Sequence, residues 1–156
     1  MKGNILKDDD NMIDVTVTPH AACYVNPTAL TTVTTAGTYY TLLGTHNPIT
    51  STLFTHIDTG WRYDGAISKY FKVDAKLSAS CSDNNVTITF KIAVNGIPDD
   101  SSTQSFTKTA AGDTKSANPS TFTLLNQNDV ITVMVTSSKS GGTVIADSLV
   151  VEISSI

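Results

Sequence analysis

Hydrophobic and polar positions alternate without a break from Phe71 to Cys81 and again from Val86 to Ile92. In the first stretch Phe71, Val73, Ala75, Leu77, Ala79 and Cys81 fall on one face, and Lys72, Asp74, Lys76, Ser78 and Ser80 on the other. A period of two is that of a strand with one face on a core and one in water. The second stretch sets Val86, Ile88, Phe90, Ile92 and Val94 against Thr87, Thr89 and Lys91. Between them Ser82-Asp83-Asn84-Asn85 supplies side chains that tolerate turn conformations.

Shorter strand candidates surround this pair: Leu30 to Val33, Thr38 to Leu43, Leu53 to Ile57, Gly60 to Tyr63, Ser101 to Thr109, Thr121 to Leu125, Val130 to Thr136 and Thr143 to Ile153. Gly37, Gly44, Asn47-Pro48 and Gly65 punctuate the first half, and 95–100, 111–116 and 137–142 read as loops by composition. With about eight to ten strands and no helical interlude for crossovers, the pattern predicts an antiparallel sandwich or barrel. Glu152 is the single glutamate, and Thr, Ser, Val and Ile dominate, a composition that disfavours helices.

Residues 1–27 differ from the rest, with Asp8 to Asp10 in a row, a short alternating piece at Val15 and Val17, then Pro19 and Pro27. They read as an extended N-terminal arm, leaving 28–156 as the β-sandwich domain. Ile5, Leu6, Met12, Ile13, Val15 and Val17 give the arm enough apolar surface to dock on a partner.

Charged residues make up 15% of the chain, below the roughly 25% usual for soluble domains, so solubility rests on hydroxyls and amides. Such a surface is easily desolvated and suits wide protein contacts. The net charge of -4 argues against a nucleic-acid backbone as partner. Neither a signal-peptide core nor an apolar run of membrane-spanning length is present, which predicts a chain made and kept in the cytosol, off the membrane. Cys23 and Cys81 are too few for a disulfide framework and read as free thiols.

The order of motifs resembles the TNF/C1q-like jelly roll, in the form found in structural proteins of tailed phages and other viruses. The resemblance runs through Trp61-Arg62-Tyr63-Asp64-Gly65, Tyr70-Phe71-x-Val73-x-Ala75-x-Leu77, Phe90-x-Ile92-x-Val94-Asn95-Gly96 and Phe122-x-Leu124. It ends on Asn128-Asp129-Val130-Ile131-Thr132-Val133, where Asn128 replaces the family's usual glycine. It covers roughly Leu30 to Ile156 and implies a homotrimer. Tyr39, Tyr40, Tyr70 and Met134 sit on the opposite register from the inferred core positions of their strands, and are the expected trimer-interface residues.

Catalytic chemistry leaves no comparable mark. His20, His46 and His56 are the only imidazoles, and none has a metal-ligand spacing. His56 alternates with Phe54 and Asp58 and reads as a sheet-surface or interface residue. No Gly-x-Ser-x-Gly elbow occurs, and Asp58 and Asp64, flanking Trp61, are the best carboxylate pair available. Asp8-Asp9-Asp10 and Asp99-Asp100 read as solvated charge rather than a cation site. The expectation is a non-enzymatic virion structural protein without metal or cofactor, assembled in the host cytoplasm. As a trimeric capsid decoration, cement or head-fibre protein, it would dock on the major capsid protein, or another virion protein, through its arm. The alternative is a receptor-binding tip of a tail fibre or baseplate. There the loops 95–102 and 111–119, with Trp61 or a tyrosine as stacking platform, would hold a host glycan or surface protein.

Overall fold

The structure, a computed structural model, describes residues 5–8, 11–14, 17–26 and 29–156, with only the backbone placed for 5–8, 11–14, 25 and 26. The strands in chain order are β1 (Ile5–Asp8), β2 (Asn11–Asp14), β3 (His20–Asn26), β4 (Thr31–Thr32), β5 (Tyr40–Thr41), β6 (Thr45–Thr52), β7 (Phe54–Ile57) and β8 (Gly60–Tyr63). They continue with β9 (Lys69–Cys81), β10 (Val86–Val94), β11 (Ile97–Pro98), β12 (Gln104–Lys108), β13 (Lys115–Ala117), β14 (Ser120–Leu125), β15 (Val130–Ser137) and β16 (Thr143–Ser155). Among the described residues the only helical piece is the single 3-10 turn Asp100–Ser102.

Two seven-stranded antiparallel sheets share one core. One runs β11-β10-β15-β8-β7, with β12 also on β10 and β5 also on β15. The other runs β13-β9-β16-β3-β6, with β14 on β9 and β4 on β16. β1 and β2 form a separate two-stranded pair. Although consecutive in sequence, β9 and β10 lie in different sheets, so the Ser82 to Asn85 turn carries the chain across the sandwich, helped by Asn85 at φ 47°.

The alternation of β9 and β10 settles inside and outside as expected. All six apolar residues of β9 are buried, as are Val86, Ile88, Phe90 and Ile92 of β10. The second sheet is built on the long β9–β16 ladder, in which Leu77 faces Leu149, Ala75 faces Val151 and Val73 faces Ile153. An irregularity between Ala146 and Ser148 shifts that register, as a β-bulge does. At one end of the core Phe54, Tyr63 and Phe71 pack as an aromatic trio with ring centroids 5.0–5.2 Å apart.

Four strands depart from the sequence reading; one, the two-residue β11, lies inside the presumed 95–100 loop and pairs with Ala93 and Val94 of β10. β3, placed by that reading in the arm, is an inner strand between β16 and β6, and its Ala21 and Cys23 are core residues. Its apolar side chains are small and stand beside the larger Val151 and Ile153 of β16. β6 contains Pro48, which suggested a turn; it is an edge strand, where a missing N–H costs nothing, and a register irregularity opposite Ala22 and Cys23 accommodates it. β13 lies in the presumed 111–116 loop and pairs Lys115 with Ala79. The candidates Leu30 to Val33 and Thr38 to Leu43 shorten to the two-residue strands β4 and β5.

Candidate functional site

The outer face of the second sheet is a lattice of small polar contacts with one apolar end. Along it the Lys72 ammonium pairs with Asp74 at 2.8 Å, Lys76 with Glu152 at 2.8 Å, and the Ser78 and Ser148 hydroxyls meet at 2.7 Å. Ser120 donates to Asp74 at 2.6 Å. Burial alone would push the Asp74 carboxyl up, but hydrogen bonds from Lys72 and Ser120 hold it below the usual carboxylate range. At the apolar end Tyr70 is 59% exposed, Phe122 64%, Leu124 43% and Ile156 67%. The ladder makes them neighbours: Leu124 pairs with Tyr70, Phe122 with Lys72, and the Ile156 N–H donates to the Tyr70 carbonyl at 3.2 Å. Tyr24, 46% exposed, stands further along the same face, opposite Val150.

The four expected interface residues do not share this surface. Tyr70 belongs to it. Met134 is buried on β15 opposite Lys91, whose ammonium sits 4.7 Å above the Tyr39 ring and is held by Asp100, so Met134 lies on the other sheet and Tyr39, just before β5, packs against it. Tyr40 packs on the rim of the core, its hydroxyl at 2.5 Å from Thr34 Oγ1 and accepting from the Thr35 N–H at 3.1 Å. Phe122, Leu124, Ile156 and Tyr24 complete the exposed face instead. The signal for β14 is an inversion: Thr121 and Leu125 point inward while the larger Phe122 points out. Of the expected anchor residues, Val17 is 46% exposed; Ile5, Leu6, Met12 and Ile13 lie on the two-stranded pair, and Val15 falls outside the described residues.

A second feature lies where the free edges of the two sheets meet. β6 edges one sheet and β7 the other, and a cleft of about 830 Å³ opens there, lined by Leu43, Thr45, His46, His56, Ile57 and Asp58 among others. His56 pairs in register with Trp61, their rings edge to face at 5.1 Å, and stacks obliquely on His46 at 5.4 Å. It therefore points into the seam between the sheets, where the sequence left a sheet-surface or an interface position open. His46 Nδ1 lies 3.7 Å from Cys23 Sγ, while the buried Nε2 atoms of both histidines and Nε1 of Trp61 have no protein hydrogen-bond partner. Burial, reinforced by the neighbouring His56, lowers the His46 pKa to about 4, and burial pushes the Cys23 thiol up.

Among the described residues no group of three His, Cys, Asp or Glu side chains is arranged to hold a metal ion. Cys23 and Cys81 are buried and unbridged. Asp64, one of the two carboxylates flanking Trp61, accepts from Thr55 at 2.6 Å and Arg62 at 2.8 Å, and these bonds outweigh burial to hold its pKa down. A carboxylate so held is a poor proton donor. Trp61 itself is 1% exposed, so it offers no stacking platform to a sugar.

Two antiparallel sheets with this connectivity around one core form a TNF/C1q-like jelly roll. No family model and no curated protein sequence matches the chain. Among solved structures it is similar to murine APRIL at pH 8.0, with a TM-score of 0.54 at 10% identity over 86% of this chain and 98% of that one. It is also similar to Eiger TNF from S. frugiperda, with a TM-score of 0.51 at 9% identity over 87% of this chain and 92% of that one. A further match is PRD1 vertex protein P5, with a TM-score of 0.49 at 13% identity over 90% and 97% of the two chains.

Proposed function

We infer that this chain is a non-enzymatic structural protein of a virus particle, a homotrimer that decorates, cements or forms a head fibre on the shell. The observation that carries the self-association is the cluster Tyr70, Phe122, Leu124 and Ile156 on the outer face of the β14-β9-β16-β3 layer. Large apolar side chains gathered at one end of a face of matched polar pairs gain free energy by burial, and a threefold arrangement lets each copy cover its neighbour's. The jelly-roll fold and the viral wording of its motifs point the same way. The arm residues Ile5, Leu6, Met12, Ile13, Val15 and Val17 serve as the anchor to the capsid. Light scattering of the purified chain should give a mass three times 16.5 kDa, and Phe122→Asp should reduce it to the monomer while far-UV circular dichroism stays that of a β protein. A wild-type monomer at all concentrations, or a Phe122→Asp trimer, overturns the reading of this face.

A further inference from the structure

The sandwich has two free edges on the same side, β6 and β7, which follow one another in the chain but make no ladder. Leu53 joins them with φ 58°, a left-handed conformation that a leucine adopts only at a cost. The seam is closed by side chains: His46 from one sheet lies against His56 from the other, with Trp61 behind and Cys23 at the side. We propose that this imidazole pair is an acid-sensitive clasp that holds the β6 and β7 edges together when neutral and lets them part when His46 takes up a proton.

The argument is one of missing counter-charge. A proton on His46 would face His56 from β7, the neutral thiol of Cys23 from β3 and the indole of Trp61 from β8. The carboxylate nearest in the cleft lining, Asp58, is exposed at the β7–β8 turn, and neither imidazole has an ion pair among the described residues. The Nε2 atoms are shielded from water in the closed seam and have no protein acceptor, so the cation is stable only if the seam opens and solvent from the adjoining cleft reaches it. The closed form resists protonation down to about pH 4, whereas a solvated histidine titrates at 6.5. Between those values the open form holds more protons, so acid favours opening, and above about pH 7 the effect vanishes. The open-to-closed ratio should rise on the order of thirty-fold from pH 7.5 to pH 5, most of it below pH 6.5.

Hydrogen exchange of the full chain tests this, read as protection factors corrected for the intrinsic pH dependence of exchange. Protection of the Thr45–Thr52 and Phe54–Ile57 amides should fall about thirty-fold between pH 7.5 and 5, while β9 and β10 amides hold theirs. In His46→Gln, which cannot take up a proton, the β6 and β7 protection should be flat across that range. Protection unchanged in the wild type, falling equally in every strand, or falling as steeply in His46→Gln overturns the clasp. Should His46→Gln fail to fold, NMR titration of the wild-type imidazoles decides: a His46 pKa well below 6 supports the clasp, and one at or above 6.5 overturns it.

Discussion

Lys108 shows how far a single position can depart from its type. Among the described residues it is the only charged side chain of the large, fully buried ones, 0% exposed, and its ammonium donates to the Cys81 carbonyl at 2.7 Å. In sequence it ends the strand Gln104 to Lys108, in which Phe106 is the one apolar residue, and a lysine two places on is not by its type marked as interior. Its register partner on β10 is Val86, a core residue, so the strand's own alternation carries the stem inward and the long chain fills the layer near the sheet crossing. A buried ammonium with one carbonyl acceptor costs much of what its stem gains. The Cys81 carbonyl does not depend on it, because the Gly112 N–H also donates there at 3.2 Å. Lys108→Met keeps the stem's volume and removes the buried charge, so stability should stay level or rise by about 1 kcal/mol, whereas Lys108→Ala should cost about 2–4 kcal/mol through the cavity it leaves. Urea midpoints of the two variants measure the difference, and equal losses would show that the charge, not the stem, matters.

Strand contacts turn on a few close approaches. Gly60 begins β8 opposite Thr132 of β15, and a Cβ placed there would stand 2.2 Å from the Ile131 carbonyl and 2.9 Å from a Thr132 methyl. Backbone cannot yield as a side-chain tip can, so Gly60→Ala should push β8 off β15 and lower stability by about 3 kcal/mol, with Trp61 becoming visible to quenchers as its strand lifts. Unchanged indole shielding would mean that β15 moves instead. The same level shows what could be read from the chain. β9, β10, β8 and β15 were legible because one face of each is apolar at a strict period of two, and Asn128 could be read as a left-handed turn residue, which its φ of 73° bears out. β3 and β6 were not, since Ala21 and Cys23 are too small to announce a core strand and an edge strand such as β6 has no buried face to give a period. The exposed face was half legible. Tyr70 stands out against the alternation of β9, but Phe122 is recognisable as outward only once Thr121 is known to point inward. The histidine pair was hidden because His46 and His56 lie on different sheets, and no spacing along the chain encodes a meeting across a seam.

For the whole molecule, the proposed role divides into two tasks, docking on a shell and association between copies. The sandwich begins by β3, and β1 and β2 pair only with each other, so the first strands contribute no ladder to either sheet. The Tyr70, Phe122, Leu124 and Ile156 face proposed for association between copies is likewise remote in sequence from the arm. A decoration protein stabilises a shell by binding the assembled form and not the dissociated one, and its effect scales with the affinity of the anchor. In the proposed trimer three arms would multiply that affinity, because once one is seated the others bind at high local concentration. Deleting residues 1–14 should therefore leave the melting temperature and solution mass of the sandwich unchanged while abolishing co-sedimentation with capsids. Disrupting self-association by Phe122→Asp should leave a single arm to bind, weakened by about 10²-fold or more but not abolished. A truncated protein that still decorates particles would place the docking surface on the sandwich itself. A Phe122→Asp monomer that binds as tightly as wild type would remove avidity, and with it the reason for a trimer on the shell.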